Sequence, residues 1–121
     1  PYLRGPKLGA DQHEAYFLPD PAAEAEPLYR HCLRALDHGW QLGPHGLPLM
    51  GCGDWNDGMN LVGAGGRGES VWVGWFQVLV RENFSRVAER RGDPANAEKL
   101  RKQAAELRLA LERHAWDGGW Y

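Results

Sequence analysis

One stretch of the chain, GCGDWNDGMN at residues 51–60, carries side chains that could act on a small polar ligand. Its carboxylates, Asp54 and Asp57, stand on either side of Trp55 and Asn56. An indole can cover the apolar face of a sugar ring, while carboxylates and amides bind or protonate its oxygen atoms. The apolar run LPLM at residues 47–50 is expected to anchor the stretch in a core. These features indicate a candidate sugar site.

Other interpretations of the same residues are weaker or remain open. Both aspartates also suit a structural role, with Asp54 binding loop N–H groups and Asp57 capping a turn before Gly58. A calcium loop of the EF-hand type is disfavoured, because that pattern needs glycine at its sixth position and glutamate at its twelfth. Counted from Asp54, Gly58 is instead the fifth residue and Gly65 occupies the glutamate position.

The run GAGGRG at residues 63–68 matches the glycine spacing of a dinucleotide-binding loop. Such a loop also requires a buried strand before it and a βαβ unit around it. Only Leu61 and Val62 precede the run, and a helical pattern follows it without a second strand. We therefore interpret these glycines as a flexible loop beside a site.

The composition excludes several classes of function. A net charge of −2, with no stripe of lysine and arginine, argues against binding to nucleic acid. The five histidines and two cysteines fit no metal-ligand spacing, so no metal is expected. Among the histidines, His45 lies in a loop close in sequence to Asp54 and is a candidate for contact with substrate.

Three helices are predicted to position the polar stretch, and the fold class is all-α. The first begins near Glu26 and stops at Gly39, the second follows the N-cap Ser70 and stops at Gly92, and the third begins after the N-cap Asp93. The first half of the second helix, residues 71–80, is apolar on nearly every side and is predicted to be buried. The short link between the last two helices predicts an antiparallel hairpin. Residues 40–68 form a long glycine-rich connection, which favours a functional loop.

The motifs resemble those of glycoside hydrolase family 94, formerly glycosyltransferase family 36. The resemblance lies in HGLPL at residues 45–49, GDWNDGMN at 53–60, GESVW at 68–72 and the closing WDGGWY at 116–121. It implies an (α/α)6 barrel, of which residues 1–121 would form a single fragment of the catalytic domain. The three helices and the long glycine-rich active-site loop agree with that architecture.

The resemblance also implies roles for individual residues. Asp57 would be the general acid, and Trp55 would lie in the subsite for the glucosyl unit that is transferred. We expect Asp54 and Asn56 to support the loop or to hydrogen-bond the sugar. The family's phosphate-binding residues lie downstream of the residues covered by this chain, so the chain alone is expected to be inactive.

The implied activity is that of an inverting β-glucan phosphorylase or synthase, with β-1,2-glucan the favoured substrate. Partners would be a β-linked glucan oligosaccharide, inorganic phosphate or glucose 1-phosphate as co-substrate, and the rest of a parent chain. No cofactor is expected. The apolar second helix favours self-association of the fragment. The location would be cytoplasmic, or on the cytoplasmic side of the inner membrane if the parent is a glucan synthase. The alternatives are an inverting hydrolase on the same barrel and a non-catalytic carbohydrate-binding or interaction segment.

Overall fold

The computed structural model describes residues 2–9, 11–12, 15–51, 61–63 and 65–121. Within these ranges the regular structure is almost all helical, as predicted, and includes one very short sheet. The elements are β1 (Leu3–Arg4), β2 (Asp20–Pro21), α1 (Leu28–His38), α2 (Val71–Arg90) and α3 (Pro94–His114). They divide between two compact units, Pro1–His38 and Gly39–Tyr121.

The first unit combines the short sheet with α1. Strands β1 and β2 pair antiparallel, with Leu3 opposite Pro21. The rings of Tyr2 and His31 meet edge to face with their centroids 4.5 Å apart. Glu26, just before α1, forms an ion pair with Arg34, and this hydrogen bond lowers the pKa of the Glu26 carboxyl.

The two long helices of the second unit begin at the caps that the sequence predicts. The Ser70 hydroxyl accepts a hydrogen bond from the Val73 N–H at 3.1 Å, and the Asp93 carboxylate accepts one from the Asn96 N–H at 3.1 Å. These bonds satisfy N–H groups that have no partner within the first turn of a helix. Between the helices, Gly92 adopts a φ of +71°, which reverses the chain.

Contacts between the long helices confirm the predicted antiparallel hairpin. Gly74 near the start of α2 lies against Leu111 near the end of α3, and Glu89 near the end of α2 pairs with Arg101 in the first half of α3. A Cβ placed on Gly74 would lie only 2.9 Å from Leu111 Cδ2, so glycine allows a close approach of the helices here. Leu47, Val78, Leu107 and Leu111 form a cluster in the core of this unit.

The prediction that the first half of α2 is buried all round is wrong for one side of the helix. Trp72, Phe76 and Leu79 are 50%, 51% and 58% exposed, while Val78 on another side is only 2% exposed. The Trp72 and Phe76 rings stack on each other with centroids 5.5 Å apart. Within the described residues, α3 therefore covers only part of the apolar surface of α2.

A buried arginine adds polar contacts to the hairpin. Arg81 of α2 is fully buried, and its Nη1 donates a hydrogen bond of 2.8 Å to Gln103 Oε1 of α3. Its Nη2 donates a hydrogen bond of 3.0 Å to Gln77, and its guanidinium lies 4.3 Å from the centre of the Trp40 ring. These contacts offset the cost of removing the charge from water.

None of the helices in the described residues combines the length with the hydropathy that a bilayer-spanning helix needs.

We expect Gln103→Leu to lower the free energy of unfolding by about 1–3 kcal/mol, because it removes a buried acceptor from the Arg81 guanidinium. Urea denaturation of the chain measures this change. Lys102→Leu is the matched control, since the Lys102 side chain is 73% exposed and should alter stability little. Equal stability of the two variants would contradict a stabilising role for the Arg81–Gln103 bond.

Candidate functional site

Most of the predicted sugar site lies outside the described residues. Asp54, Trp55, Asn56 and Asp57 all belong to residues 52–60, so their roles remain predictions. His45 is the member of the predicted set that lies within the described part of the chain. The structure therefore describes the segments on either side of the polar stretch, residues 41–51 before it and residues 61–63 and 65–70 after it. Together these segments are called the frame.

The apolar run before the polar stretch is anchored as the sequence predicts. Leu47 is 4% exposed and packs in one core with Val78 of α2 and Leu111 of α3. Pro48 is also fully buried, whereas Leu49 and Met50 are partly buried. The two long helices therefore fix the position from which the polar stretch begins.

Backbone hydrogen bonds hold this run between two other segments. On one side, the Leu49 N–H donates to the Gln41 carbonyl at 2.9 Å. On the other side, the Met50 N–H donates to the Gly68 carbonyl at 2.8 Å, and the Ser70 N–H donates to the Pro48 carbonyl at 2.8 Å. The segments that flank the polar stretch thus form one hydrogen-bonded frame, although their sequence predicts only a long loop.

Close backbone packing joins the two ends of the polar stretch. A Cβ placed on Gly63 would lie 2.0 Å from the Gly51 carbonyl oxygen, so only glycine allows this approach. Gly68 is similarly tight, since a Cβ there would lie 2.6 Å from the Val62 carbonyl oxygen. These two members of the glycine run are thus parts of a packed stem, which corrects the interpretation of the whole run as a flexible loop.

His45 lies in a tight turn at the edge of the frame. The Gly46 N–H donates to the Gly43 carbonyl at 3.0 Å, and the Gly43 N–H donates to the Leu47 carbonyl at 2.8 Å. Gly46 has a φ of +75°, a conformation that glycine adopts readily. The His45 side chain is 58% exposed, so a ligand in solution can reach it.

Glu69 holds this turn through both of its carboxylate oxygens. Oε1 accepts hydrogen bonds from the backbone N–H groups of His45, at 3.1 Å, and Leu47, at 3.2 Å. Oε2 lies 2.6 Å from His45 Nδ1. The Glu69 side chain is only 11% exposed, so the pair combines a mostly buried carboxylate with an accessible imidazole.

The electrostatics of the pair favour an ionised Glu69. Burial by itself would raise the pKa of the Glu69 carboxyl, but the hydrogen bonds from the His45 imidazole and the two backbone N–H groups outweigh it, and the pKa is lowered. An ionised carboxylate can only accept hydrogen bonds, so His45 Nδ1 carries the proton. The remaining ring nitrogen, Nε2, is an acceptor when the imidazole is neutral and a donor when it is protonated.

A second histidine, His114 at the end of α3, lies beside this pair. Its ring centroid is 5.3 Å from that of His45, and the two rings are tilted by 54°. Within the described ranges, no group of three or more His, Cys, Asp or Glu side chains could hold a metal ion. The described side chains of His45 and Glu69 offer hydrogen-bonding groups beside the polar stretch.

Glu69 is absent from the site residues that the sequence predicts, although it binds His45. In sequence, Glu69 lies directly before Ser70, the N-cap of α2. That position does not indicate a hydrogen-bond partner 24 residues earlier. The available signal was the occurrence of both residues in motif segments, HGLPL and GESVW, on either side of the polar stretch.

Comparisons with known proteins confirm the family that the motifs indicate. A family profile described as "Glycosyl hydrolase 94 superfamily, catalytic domain" matches residues 13–121. The chain is 43% identical over 122 residues to the cyclic beta-(1,2)-glucan synthase NdvB of Rhizobium meliloti (strain 1021), an alignment that covers 100% of this chain and 4% of that protein.

Two phosphorylases of Paenibacillus borealis are also similar. The 3-O-beta-D-glucopyranosyl-beta-D-glucuronide phosphorylase is 43% identical over 101 residues, which cover 83% of this chain and 13% of that enzyme. The solabiose phosphorylase is 36% identical over 100 residues, which cover 80% of this chain and 13% of that enzyme. The chain thus spans only a small part of the length of these relatives.

The helical architecture and the relatives agree on the class of protein. The three helices fit a part of the (α/α)6 barrel of this catalytic domain. The relatives named above are phosphorylases and a glucan synthase, so the family is one of enzymes that act on saccharides. The chain belongs to the glycosyl hydrolase 94 superfamily and forms part of its catalytic domain.

Proposed function

We propose that the protein carrying this chain is an inverting β-glucan phosphorylase or synthase, and that residues 52–60 supply its general acid, Asp57. The observation that carries the proposal is the closed frame around these residues, in which Gly63 packs on Gly51 at the two ends of the polar stretch. A loop whose ends are held together can keep a carboxyl group in a defined place. The similarity to phosphorylases and to a glucan synthase supports the reaction class.

The chemistry needs only one carboxylic acid from the protein. Inverting cleavage of a glycosidic bond requires an acid at the leaving oxygen and a nucleophile on the opposite face of the sugar ring. Inorganic phosphate would be that nucleophile, so that a β-linked glucan yields α-glucose 1-phosphate without a general base. Asp57 would donate its proton to the leaving oxygen as the glycosidic bond breaks.

An acid in this role must keep its proton near neutral pH. Burial or a neighbouring carboxylate raises the pKa of an aspartic acid and thereby favours the protonated form. Asp54, three residues before Asp57, is the candidate neighbour. Trp55 would cover a face of the transferred glucosyl unit, and Asn56 would hydrogen-bond the sugar or support the loop.

His45 would contribute a further contact to the saccharide. Its imidazole is accessible, and Glu69 fixes one of its ring nitrogens. A β-1,2-linked glucan is the favoured substrate, since the similarity to the cyclic beta-(1,2)-glucan synthase extends over the whole chain. A cytoplasmic location, or the cytoplasmic face of the inner membrane for a synthase, would give access to phosphate and sugar phosphates.

We expect Asp57→Asn in the complete protein to reduce phosphate-dependent cleavage of a β-1,2-glucan oligosaccharide by about 10²–10⁴-fold, the usual contribution of a general acid. The same variant should retain most of its activity on an aryl β-glucoside with an acidic phenol as leaving group, because that group departs without protonation. Release of α-glucose 1-phosphate and of the phenol measures the two reactions.

A loss of activity on both substrates would remove Asp57 from the role of acid. Cleavage by the unaltered protein at an equal rate without phosphate would indicate the inverting hydrolase. Absence of cleavage under all conditions would favour a non-catalytic carbohydrate-binding segment.

The geometry of the stem gives a separate prediction. Gly63→Ala should lower turnover by the complete protein at least tenfold, because its Cβ cannot fit 2.0 Å from the Gly51 oxygen and the ends of the stretch must move apart. Gly65→Ala is the matched control, since a Cβ at Gly65 would meet no atom of the described residues within 4 Å. Equal turnover by the two variants would contradict the proposal that the packing of Gly63 on Gly51 holds the ends of the polar stretch in place.

The isolated chain of 121 residues should release no α-glucose 1-phosphate from β-1,2-glucan, because it spans only 4% and 13% of the length of two similar enzymes. A coupled assay for glucose 1-phosphate checks this, with the complete protein as the positive control. Robust release by the isolated chain would show that the phosphate-binding groups lie within it.

A further inference from the structure

We propose that Glu69 is a positioning residue that holds the His45 imidazole so that its Nε2 atom forms a hydrogen bond with a hydroxyl group of the bound saccharide. The proposal rests on the proposed function and assigns a role to a residue for which the sequence predicts none. It is based on the contacts of Glu69, on the position of Glu69 in the frame, and on which ring nitrogen of His45 carries the proton in their bond.

The contacts fix both the backbone and the ring of His45. Glu69 Oε1 accepts the His45 and Leu47 N–H groups at 3.1 and 3.2 Å, while Glu69 Oε2 lies 2.6 Å from His45 Nδ1. If the Glu69 carboxylate served only to stabilise the turn, its hydrogen bonds from the backbone N–H groups would be enough. The additional bond to the ring limits the rotation of the side chain, which is a requirement for a defined contact with ligand.

Gly43 in the turn leaves space for the Glu69 carboxylate. A Cβ placed on Gly43 would lie 2.4 Å from Glu69 Oε1, so any larger residue at position 43 would displace the Glu69 side chain. The Glu69 side chain is 11% exposed, whereas that of His45 is 58% exposed. The pair thus places a sheltered carboxylate behind an imidazole that solvent and ligand can reach.

The position of Glu69 ties His45 to the frame of the polar stretch. Glu69 forms an antiparallel bridge with Leu49 and directly precedes Ser70, the N-cap of α2. The neighbouring Gly68 accepts the hydrogen bond from Met50, one residue before the stretch begins. One short segment therefore sets both the His45 turn and the entry to the residues proposed to bind sugar.

The proton on the ring follows from the partner. Because the ionised Glu69 carboxylate has no proton to donate, Nδ1 of His45 must be the donor in their bond. Nε2 then faces away from this bond, and a sugar hydroxyl can pair with it in either protonation state because a hydroxyl both donates and accepts. The His114 ring lies beside that of His45, with 5.3 Å between the centroids.

The first test is kinetic and uses the complete protein. Glu69→Gln and His45→Gln should each raise KM for the β-1,2-glucan oligosaccharide about tenfold with little change in kcat, which corresponds to about 1.4 kcal/mol of lost binding. The double variant should show no additional loss, because Glu69 acts through His45. Glu89→Gln is the matched control, since the Glu89 side chain is 63% exposed and pairs with Arg101 on the surface.

The second test is independent of turnover. Diethyl pyrocarbonate modifies accessible neutral imidazoles, so the oligosaccharide should protect His45 in the unaltered protein by at least fivefold while the exposed His38 remains unprotected. Protection of His45 should be lost in Glu69→Gln at the same saccharide concentration. Peptide mass spectrometry measures both histidines in one sample.

Each result decides the proposal. An unchanged KM in His45→Gln, or failure of the oligosaccharide to protect His45 while the unaltered protein turns over, would overturn it and leave the proposed function intact. Additive losses in the double variant would show that Glu69 acts elsewhere. If Glu69→Gln does not fold, Gly43→Ala takes its place, since a Cβ at position 43 would lie 2.4 Å from Glu69 Oε1 and displace the carboxylate. Unchanged KM and unchanged protection of His45 in that variant would overturn the proposal. Absence of phosphate-dependent turnover in the unaltered protein would overturn the proposed function and this proposal together.

Discussion

The packing of Leu47 against the two long helices is the contact on which the described part of the site depends. Leu47 is 4% exposed and shares its core with Val78, Leu107 and Leu111. Burial of a leucine side chain contributes about 1.5–3 kcal/mol, enough to hold a segment that has little regular structure of its own. The turn of His45 precedes Leu47 and the polar stretch follows it, so this contact fixes both relative to the hairpin.

The frame around the polar stretch shows how backbone groups replace regular structure in a long connection. Buried N–H and carbonyl groups must find partners, and in residues 41–50 they find them within the same run and in the segment that leads into α2. The glycines contribute close approach, since Gly63 and Gly68 both pack where no Cβ fits. A long connection held in this way keeps the two ends of the polar stretch together.

Polar groups inside the second unit join elements that are distant in sequence. Arg81 bonds to Gln103 across the hairpin and stacks on Trp40, while Gln77 donates a hydrogen bond of 2.8 Å to the Gly39 carbonyl. Glu69 does the same for the His45 turn. Such contacts depend on geometry, because a buried polar group is favourable only when its partners are in place.

Local signals in the sequence determined the helices and the family. Ser70 and Asp93 are caps whose effect depends on the next few residues, and the short link between the last two helices predicts the hairpin without knowledge of the rest of the fold. The motif GDWNDGMN indicated the superfamily for the same reason, since it is a contiguous pattern. The roles of Asp54, Trp55, Asn56 and Asp57 remain predictions, because these residues lie outside the described ranges.

Only the tertiary structure decided which distant residues meet. Nothing near Glu69 in sequence indicates that its carboxylate binds a histidine 24 residues earlier, and nothing near Gly63 indicates the Gly51 carbonyl as its neighbour. The exposure of Trp72 and Phe76 could not be predicted either, because an apolar pattern shows which faces of a helix favour burial but not which partners cover them. Helix propensities and caps depend on neighbouring residues in the sequence. Contacts across a long connection form only when the helices pack and bring distant segments together.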